Sequence, residues 1–241
     1  MIRLEDKKFE ESVFEKDCPL AVPVQITADA DGGLDLLVYS FVRGIAEEFE
    51  ARYAADPLGK EAVEWMTDAL GRVMTPLGYD EPDLGSYPLY DYRPGTIRRD
   101  VVLPGCALLS ALDGERWDDL PLDEFALNPA DPADRMAVIR DGDGTIVCFA
   151  GLNDISEEEG LFELTVECAE AFRGRGYGAS CVACLALYLD SLGEGTQYVT
   201  SCLNAPSIRC AEKAGFVRRK SVFPFVFRKS GVDDAEFFDF T

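Results

Sequence analysis

Apolar and polar positions alternate most cleanly from Leu161 to Cys168, where Leu164, Val166 and Cys168 face one way and Glu163, Thr165 and Glu167 the other. A period of two marks a strand with one buried face. From Gly176 to Ser191 the chain is apolar almost all round, and Gly193 is a natural stop, so the pattern predicts a buried helix. Between them lies Arg173-Gly174-Arg175-Gly176-Tyr177-Gly178-Ala179. A glycine-rich turn that opens a helix makes an anion site: its first N–H groups lack intrahelical partners, and missing side chains let a phosphate come close. Arg173 and Arg175 add charge to the same turn.

The same reading, taken from the start, predicts a strand at 20–27, a helix at 34–53 with Leu34, Val38, Phe41, Ile45 and Phe49 as its stripe, and a second helix at 57–74. The segment 75–95 is punctuated by proline and glycine and carries Tyr79, Tyr87, Tyr90 and Tyr92. Those tyrosines either line an acceptor pocket or pin a linker by packing. A strand is expected at 96–103 and short helices within 107–127. Asp141-Gly142-Asp143-Gly144 joins two strand patterns, 136–140 and 145–152, as a hairpin. After the apolar helix come a strand at 197–202, a short helix with Pro206 in its first turn and Gly215 past its end, and a hairpin or bent strand pair at 216–229.

Two families of site fit the glycine turn. Gly174-x-Gly176-x-x-Ala179 matches a dinucleotide fingerprint, which requires an acidic residue about 20 positions on. Here the next strand ends in Leu203-Asn204, and only 62 residues follow Ala179, too few for a doubly wound sheet. The other reading takes Arg173-x-x-Gly176-x-Gly178 together with Asn204-Ala205-Pro206-Ser207 and Glu212-Lys213-Ala214-Gly215-Phe216. On these two motifs the sequence resembles the GNAT superfamily of acyl-CoA-dependent N-acetyltransferases, in which an Asn opens the helix and a Gly-Phe pair closes it eleven residues later.

The resemblance covers roughly 136–229. It implies an α/β fold with a mixed, mostly antiparallel central sheet flanked by helices, here with a mainly helical N-terminal extension over 1–95, a catalytic domain over 96–230 and a tail at 231–241. It also implies acetyl-CoA as co-substrate, with no metal. The turn from Arg173 through Gly174, Arg175, Gly176, Tyr177 and Gly178 to Ala179 would hold the pyrophosphate, the backbone of Cys168, Ala169 and Glu170 would bond the pantetheine arm, and Asn204 would bond it from the far side or simply cap its helix. The amide after Cys168 would be the oxyanion donor. Glu163 stands where several members carry a general base, with Glu167 on the same strand face as second choice; a solvated face is the plain alternative. The usual acid, a Tyr seven residues after the Asn, is replaced by Ala211, leaving Cys210, a tyrosine from 75–95, or water. The reading is acetyl transfer to the amine of a small molecule or peptide, the alternative a GNAT-like acyl-CoA-binding sensor or interaction module without efficient catalysis.

Composition narrows the partners. With 45 acidic and 23 basic residues the net charge is −22, which argues against nucleic acid or an anionic membrane. Nine of the basic residues nevertheless fall in the last third, among them Arg209, Lys213 and Arg218, where an anionic co-substrate would bind. No signal peptide pattern is present and the longest apolar run is too short to span a bilayer, so the expected location is the cytoplasm. The absence of histidine removes Ser-His and Cys-His nucleophile mechanisms, so any base is a carboxylate or a water chain. Cys181-x-x-Cys184 alone is a weak zinc signal, set against buried apolar thiols.

Overall fold

The computed structural model describes residues 1–4, 13, 19–80, 89–117, 119–156 and 160–231. Strands run β1 (Ile2–Leu4), β2 (Leu20–Ala21), β3 (Val24–Asp29) and β4 (Leu34–Val38), followed by helices α1 (Arg43–Tyr53) and α2 (Lys60–Met74). Then come β5 (Leu89–Pro94), β6 (Cys106–Leu109), β7 (Met136–Arg140), β8 (Ile146–Ser156), β9 (Leu161–Cys168), α3 (Tyr177–Leu192), β10 (Thr196–Ser201), α4 (Ala205–Ala214), β11 (Phe216–Pro224) and β12 (Phe227–Arg228). The chain divides into two compact units, 1–89 with 220–241, and 90–219.

In the first unit β4 pairs with β3 (antiparallel) and with β1 (parallel), and Lys220–Pro224 of β11 pairs antiparallel with β3. Its core gathers Ile26, Leu36 and Val38 from the strands with Phe49, Met66 and Leu70 from the helices. The helical stripes at 43–53 and 60–74 therefore form as their periodicity requires, and Gly78, at φ 85°, ends the turn that follows α2. Leu34–Val38 is a strand rather than the first turn of a helix: its residues pair with Val24–Ala28 across the tight turn at Asp29–Gly33. Strand pairing with a partner earlier in the chain overrode a stripe that local periodicity alone assigned to the helix.

The second unit is built on a mostly antiparallel run of strands, β10-β9-β8-β7-β6, in which only β9 and β10 pair parallel. The Asp141–Gly144 hairpin forms as its turn residues dictate, with Gly144 at φ 80° and Asp141 Oδ1 accepting from the amides of Asp143 and Thr145. Helix α3 packs on one face with Val182, Leu185 and Leu189 buried among Ala137, Cys148, Leu164 and Tyr198. The opposite face of β7 and β8 carries Met136, Val138 and Phe149, covered by Leu120 and Leu122. The strand expected at 96–103 is absent; that stretch contains a single 3-10 turn at Arg99–Val101, and the Leu103 amide donates to the buried Ser180 hydroxyl on α3 at 2.9 Å. The strand lies instead at Cys106–Leu109, registered against β7.

Candidate active site

Strand β9 has two unlike edges. Against β8 it is registered along its whole length, from Ser156 opposite Leu161 to Cys148 opposite Cys168. Against β10 the registered pairs are Phe162–Thr196 and Glu163–Gln197, both at the start of the two strands. Beyond Gln197 the parallel strands diverge. Peptide groups alternate sides along a strand. The Ala169 amide donates to Val147 O at 2.9 Å on the β8 edge, and the Phe162 amide donates to Gly195 O at 3.0 Å on the β10 edge. Val166 and Cys168, in step with Phe162, therefore aim their amides at the edge that β10 has left.

This parity corrects the expected oxyanion donor. The amide after Cys168 belongs to Ala169 and is taken by Val147. The carbonyl of Cys168 accepts from Arg173 Nε at 3.0 Å, and that of Glu170 from the Arg173 amide at 3.2 Å. The amides left facing the open edge are thus those of Val166 and Cys168 rather than that of Ala169.

At the end of the same strand, the turn enters α3 through Gly174 at φ 78° and Gly176 at φ 84°, conformations that side chains rarely adopt. A Cβ on Gly176 would also stand 3.1 Å from Lys213 Nζ, so the glycine makes room for an ammonium brought by the last turn of α4. No side chain caps α3, and the amides of its first turn are the donors a phosphate would meet. A Cβ on Gly178 would meet Cys210 Sγ at 3.3 Å and Val166 Cγ2 at 3.4 Å, so α3, α4 and β9 close in on each other here. Arg175 bonds the Ala171 carbonyl at 3.0 Å and lies over the Phe172 ring, which in turn stacks on Tyr177. Ala179 is buried beneath the turn. Asn204 is the N-cap of α4, its Oδ1 accepting from the Ser207 amide at 3.1 Å, which leaves its amide nitrogen as the group able to face a ligand.

On the face of β9 away from α3, Glu163 is half-buried, while Glu167 is exposed. Gln197 Nε2 donates to Glu163 Oε2 at 3.3 Å, and Asn153 Nδ2 donates to Oε1 at 3.1 Å. Asn153 reaches the carboxylate because β8 carries a bulge between Leu152 and Asp154, which inserts an extra residue and re-aims the side chain. Asn153 was not singled out by spacing, since the bulge fixes it; Lys213 was named among the basic residues of the last third, and helix docking gives it its place at the turn.

The residues considered for the acid are sorted by their surroundings. Ala211 is fully buried. Burial pushes the Cys210 thiol up to about 12. Tyr198, whose hydroxyl lies 2.8 Å from Ser207 Oγ, is also pushed upward, chiefly by burial. Of the tyrosines of 75–95, Tyr79 is buried in the first unit and donates to Val13 O, Tyr92 is buried in the second among α3 and α4 residues with Tyr90 edge-on to its ring, and Tyr87 lies outside the described residues. Burial therefore accounts for Tyr79 and Tyr92.

The cysteines form a chain through the second unit. Cys148 and Cys168 are directly opposite across β8 and β9, and Cys181 Sγ lies 3.9 Å from the Cys148 carbonyl. Hydrogen bonding to Cys148, with burial second, pushes the Cys168 thiol upward; bonding to Cys106 does the same for Cys184, so both stay neutral. Among the described residues no group of three or more His, Cys, Asp or Glu is placed to hold a metal, and no helix is long and apolar enough to cross a membrane.

Comparison with known proteins bears on this geometry. The family model described as Acetyltransferase (GNAT) family matches residues 105–216, the segment that carries β7 to α4 and both motifs. Residues 105–216 are a GNAT-family acetyltransferase domain. The strands of this segment form a mixed, mostly antiparallel sheet with flanking helices. The chain is similar to a GCN5-related N-acetyltransferase from Kribbella flavida, at 18% identity over 76% of this chain and 78% of that one, with a TM-score of 0.45. It is similar to one from Sphaerobacter thermophilus at 16% identity over 83% and 74%, TM-score 0.44. It spans 65% of the length of a GNAT-family protein from Novosphingobium aromaticivorans DSM 12444, with 60% of this chain covered, 22% identity and a TM-score of 0.44. No curated protein matches the sequence.

Proposed function

We propose that this GNAT domain transfers the acetyl group of acetyl-CoA to an amine of a small-molecule or peptide acceptor by direct attack. The observation that carries the reading is the divergence of β10 from β9 beside an uncapped, glycine-opened helix: one feature offers an extended arm a strand edge, the other offers a pyrophosphate a set of amides. The fit to acetyl-CoA is local and specific, since the cradle at Gly176 would be filled by a Cβ and an ammonium borders it. Val166 and Cys168 would bond the pantetheine arm, Gly174 to Ala179 with Lys213 would hold the pyrophosphate, and the Asn204 amide nitrogen would reach the arm from α4.

Glu163 is the general base. Its carboxylate is held by two amide donors yet keeps lone pairs to accept a proton from an ammonium, either directly or through water. Glu167, exposed on the same face, is the second choice. Cys210 is a poor acid for a leaving thiolate: an ordinary thiol titrates near 8.5, so a proton leaving a group at about 12 would move uphill. The thiolate, whose conjugate acid titrates at about 8.5, is stable enough to leave unprotonated and to take its proton afterwards from solvent. The buried Ala211 at the usual acid position also favours a second reading, a domain that binds acyl-CoA as a sensor without efficient turnover. Residues 96–230 are proposed as the catalytic domain, with 1–95 as its extension.

The deciding experiment offers acetyl-CoA with a panel of amines and follows thiol release, alongside thermal unfolding with CoA and with NAD. Binding by the folded state alone raises the melting temperature by mass action. Stabilisation by CoA with thiol release supports the transferase; stabilisation without release supports the sensor; stabilisation by NAD alone contradicts both.

A further inference from the structure

The Glu163 carboxylate is the end of a longer polar row. Gln197, nearly buried at 8% exposure, accepts from Arg93 Nη1 through its Oε1 at 2.7 Å. Arg93 Nη2 in turn pairs with Asp91 Oδ2 at 3.1 Å, and the two side chains are only 17% and 6% exposed. Asp91 and Arg93 are two residues apart on β5 and share a face. The row therefore crosses from β5 through β10 to β9, and ends on Asn153 at the bulge of β8.

The order of donors in this row is fixed by chemistry. A guanidinium has five N–H donors and no acceptor, so Gln197 must turn its oxygen to Arg93. Its Nε2 then has one direction left, toward Glu163, where it donates at 3.3 Å. Released from Arg93, the amide could flip and present its oxygen to the carboxylate. Asp91 removes the corresponding freedom from Arg93, because a buried carboxylate and guanidinium hold each other in place.

We propose that Gln197 and Arg93 are positioning residues for the base: Arg93, anchored on Asp91, sets the orientation of the Gln197 amide, and that amide fixes the Glu163 carboxylate in place. The inference rests on Glu163 acting as the base, and extends it to two residues that act through that carboxylate.

The test compares pH–rate profiles and carboxyl titrations. Gln197→Met, close in length but without a donor, should lower kcat about tenfold with KM for acetyl-CoA nearly unchanged. The acid limb of the pH–rate profile should move as well, because Gln197 donates directly to the carboxylate that serves as base. Arg93→Met should behave alike, though Arg93 does not contact Glu163, and Arg93→Lys, which keeps charge and a donor, should recover most of the loss. If Arg93→Met does not fold, Gln197→Met and Arg93→Lys decide. A lost limb in Glu163→Gln with an unmoved limb in Gln197→Met overturns the positioning role and leaves the base in place. Full turnover in Glu163→Gln removes the base; the carbon-13 titration of the Glu163 carboxyl in Gln197→Met then judges the coupling alone, a shifted midpoint supporting it and an unshifted one overturning it.

Discussion

The two edges of β9 carry the same kind of peptide groups and end in different situations. Along β8 the ladder continues to Cys168, and the Ala169 amide extends it by one more bond. Along β10 it stops at Glu163–Gln197, one residue after Phe162 has paired with Gly195 and Thr196. A peptide group left without a partner and without water costs free energy comparable to a lost hydrogen bond. An edge opened inside a sheet is therefore a place where a ligand's own amides gain more than they would on a closed surface. The last registered pair also holds the base candidate, so the strand stops pairing where chemistry would begin.

The largest way to break this comparison is at that last pair. Glu163→Gln keeps the shape and the place in the row and removes basicity; turnover should fall about 10²–10⁴-fold with acetyl-CoA affinity little changed, read from kcat and KM. Undiminished turnover would move the base to Glu167 or to water.

The next acts on the glycine turn that closes the open edge. Gly176→Val forces a branched side chain to φ 84° and into the place of Lys213 Nζ. Strain of about 1–3 kcal/mol at such positions corresponds to as much as about 100-fold in CoA affinity, so the CoA-induced rise in melting temperature should disappear. A smaller effect is expected for Lys213→Met, about three- to tenfold in CoA affinity, larger at low salt because the ammonium acts through a screened charge. Isothermal titration at two salt concentrations distinguishes this from a lost packing contact, which would not respond to salt.

The smallest concerns Cys210, wedged beside Gly178 and Val166. Its folded-state value of about 12 lies above the ordinary 9.0, so its contribution to stability is present below pH 9 and is lost as pH rises toward 12. Cys210→Ala should flatten the alkaline loss of stability in that window, measured by denaturant unfolding at fixed pH values.

Most of the site's frame was legible because its signals are local. Alternation marked β9, two glycines marked both ends of α3, and Asn204 with Gly215 bracketed α4. What stayed hidden depends on register and docking. Nothing in the order of residues says that Gln197 lies opposite Glu163, that a bulge turns Asn153 toward it, or that Arg93 stands behind both. Lys213 reads as one of nine basic residues in the last third, and only the packing of α4 against the turn sets it apart from the others. The strand at Cys106–Leu109 was missed because its stabilisation comes from β7, and Leu34–Val38 because β3 claims it.

Residue-resolved amide exchange along β9, with and without CoA, tests the open edge most directly. Thr165 and Glu167 face β8 and should exchange slowly in both conditions, whereas Val166 and Cys168 should exchange faster alone and slow markedly when CoA binds, giving an alternating pattern of protection. Exchange at Val166 and Cys168 that CoA leaves unchanged, or that slows equally at all four residues, would contradict the account.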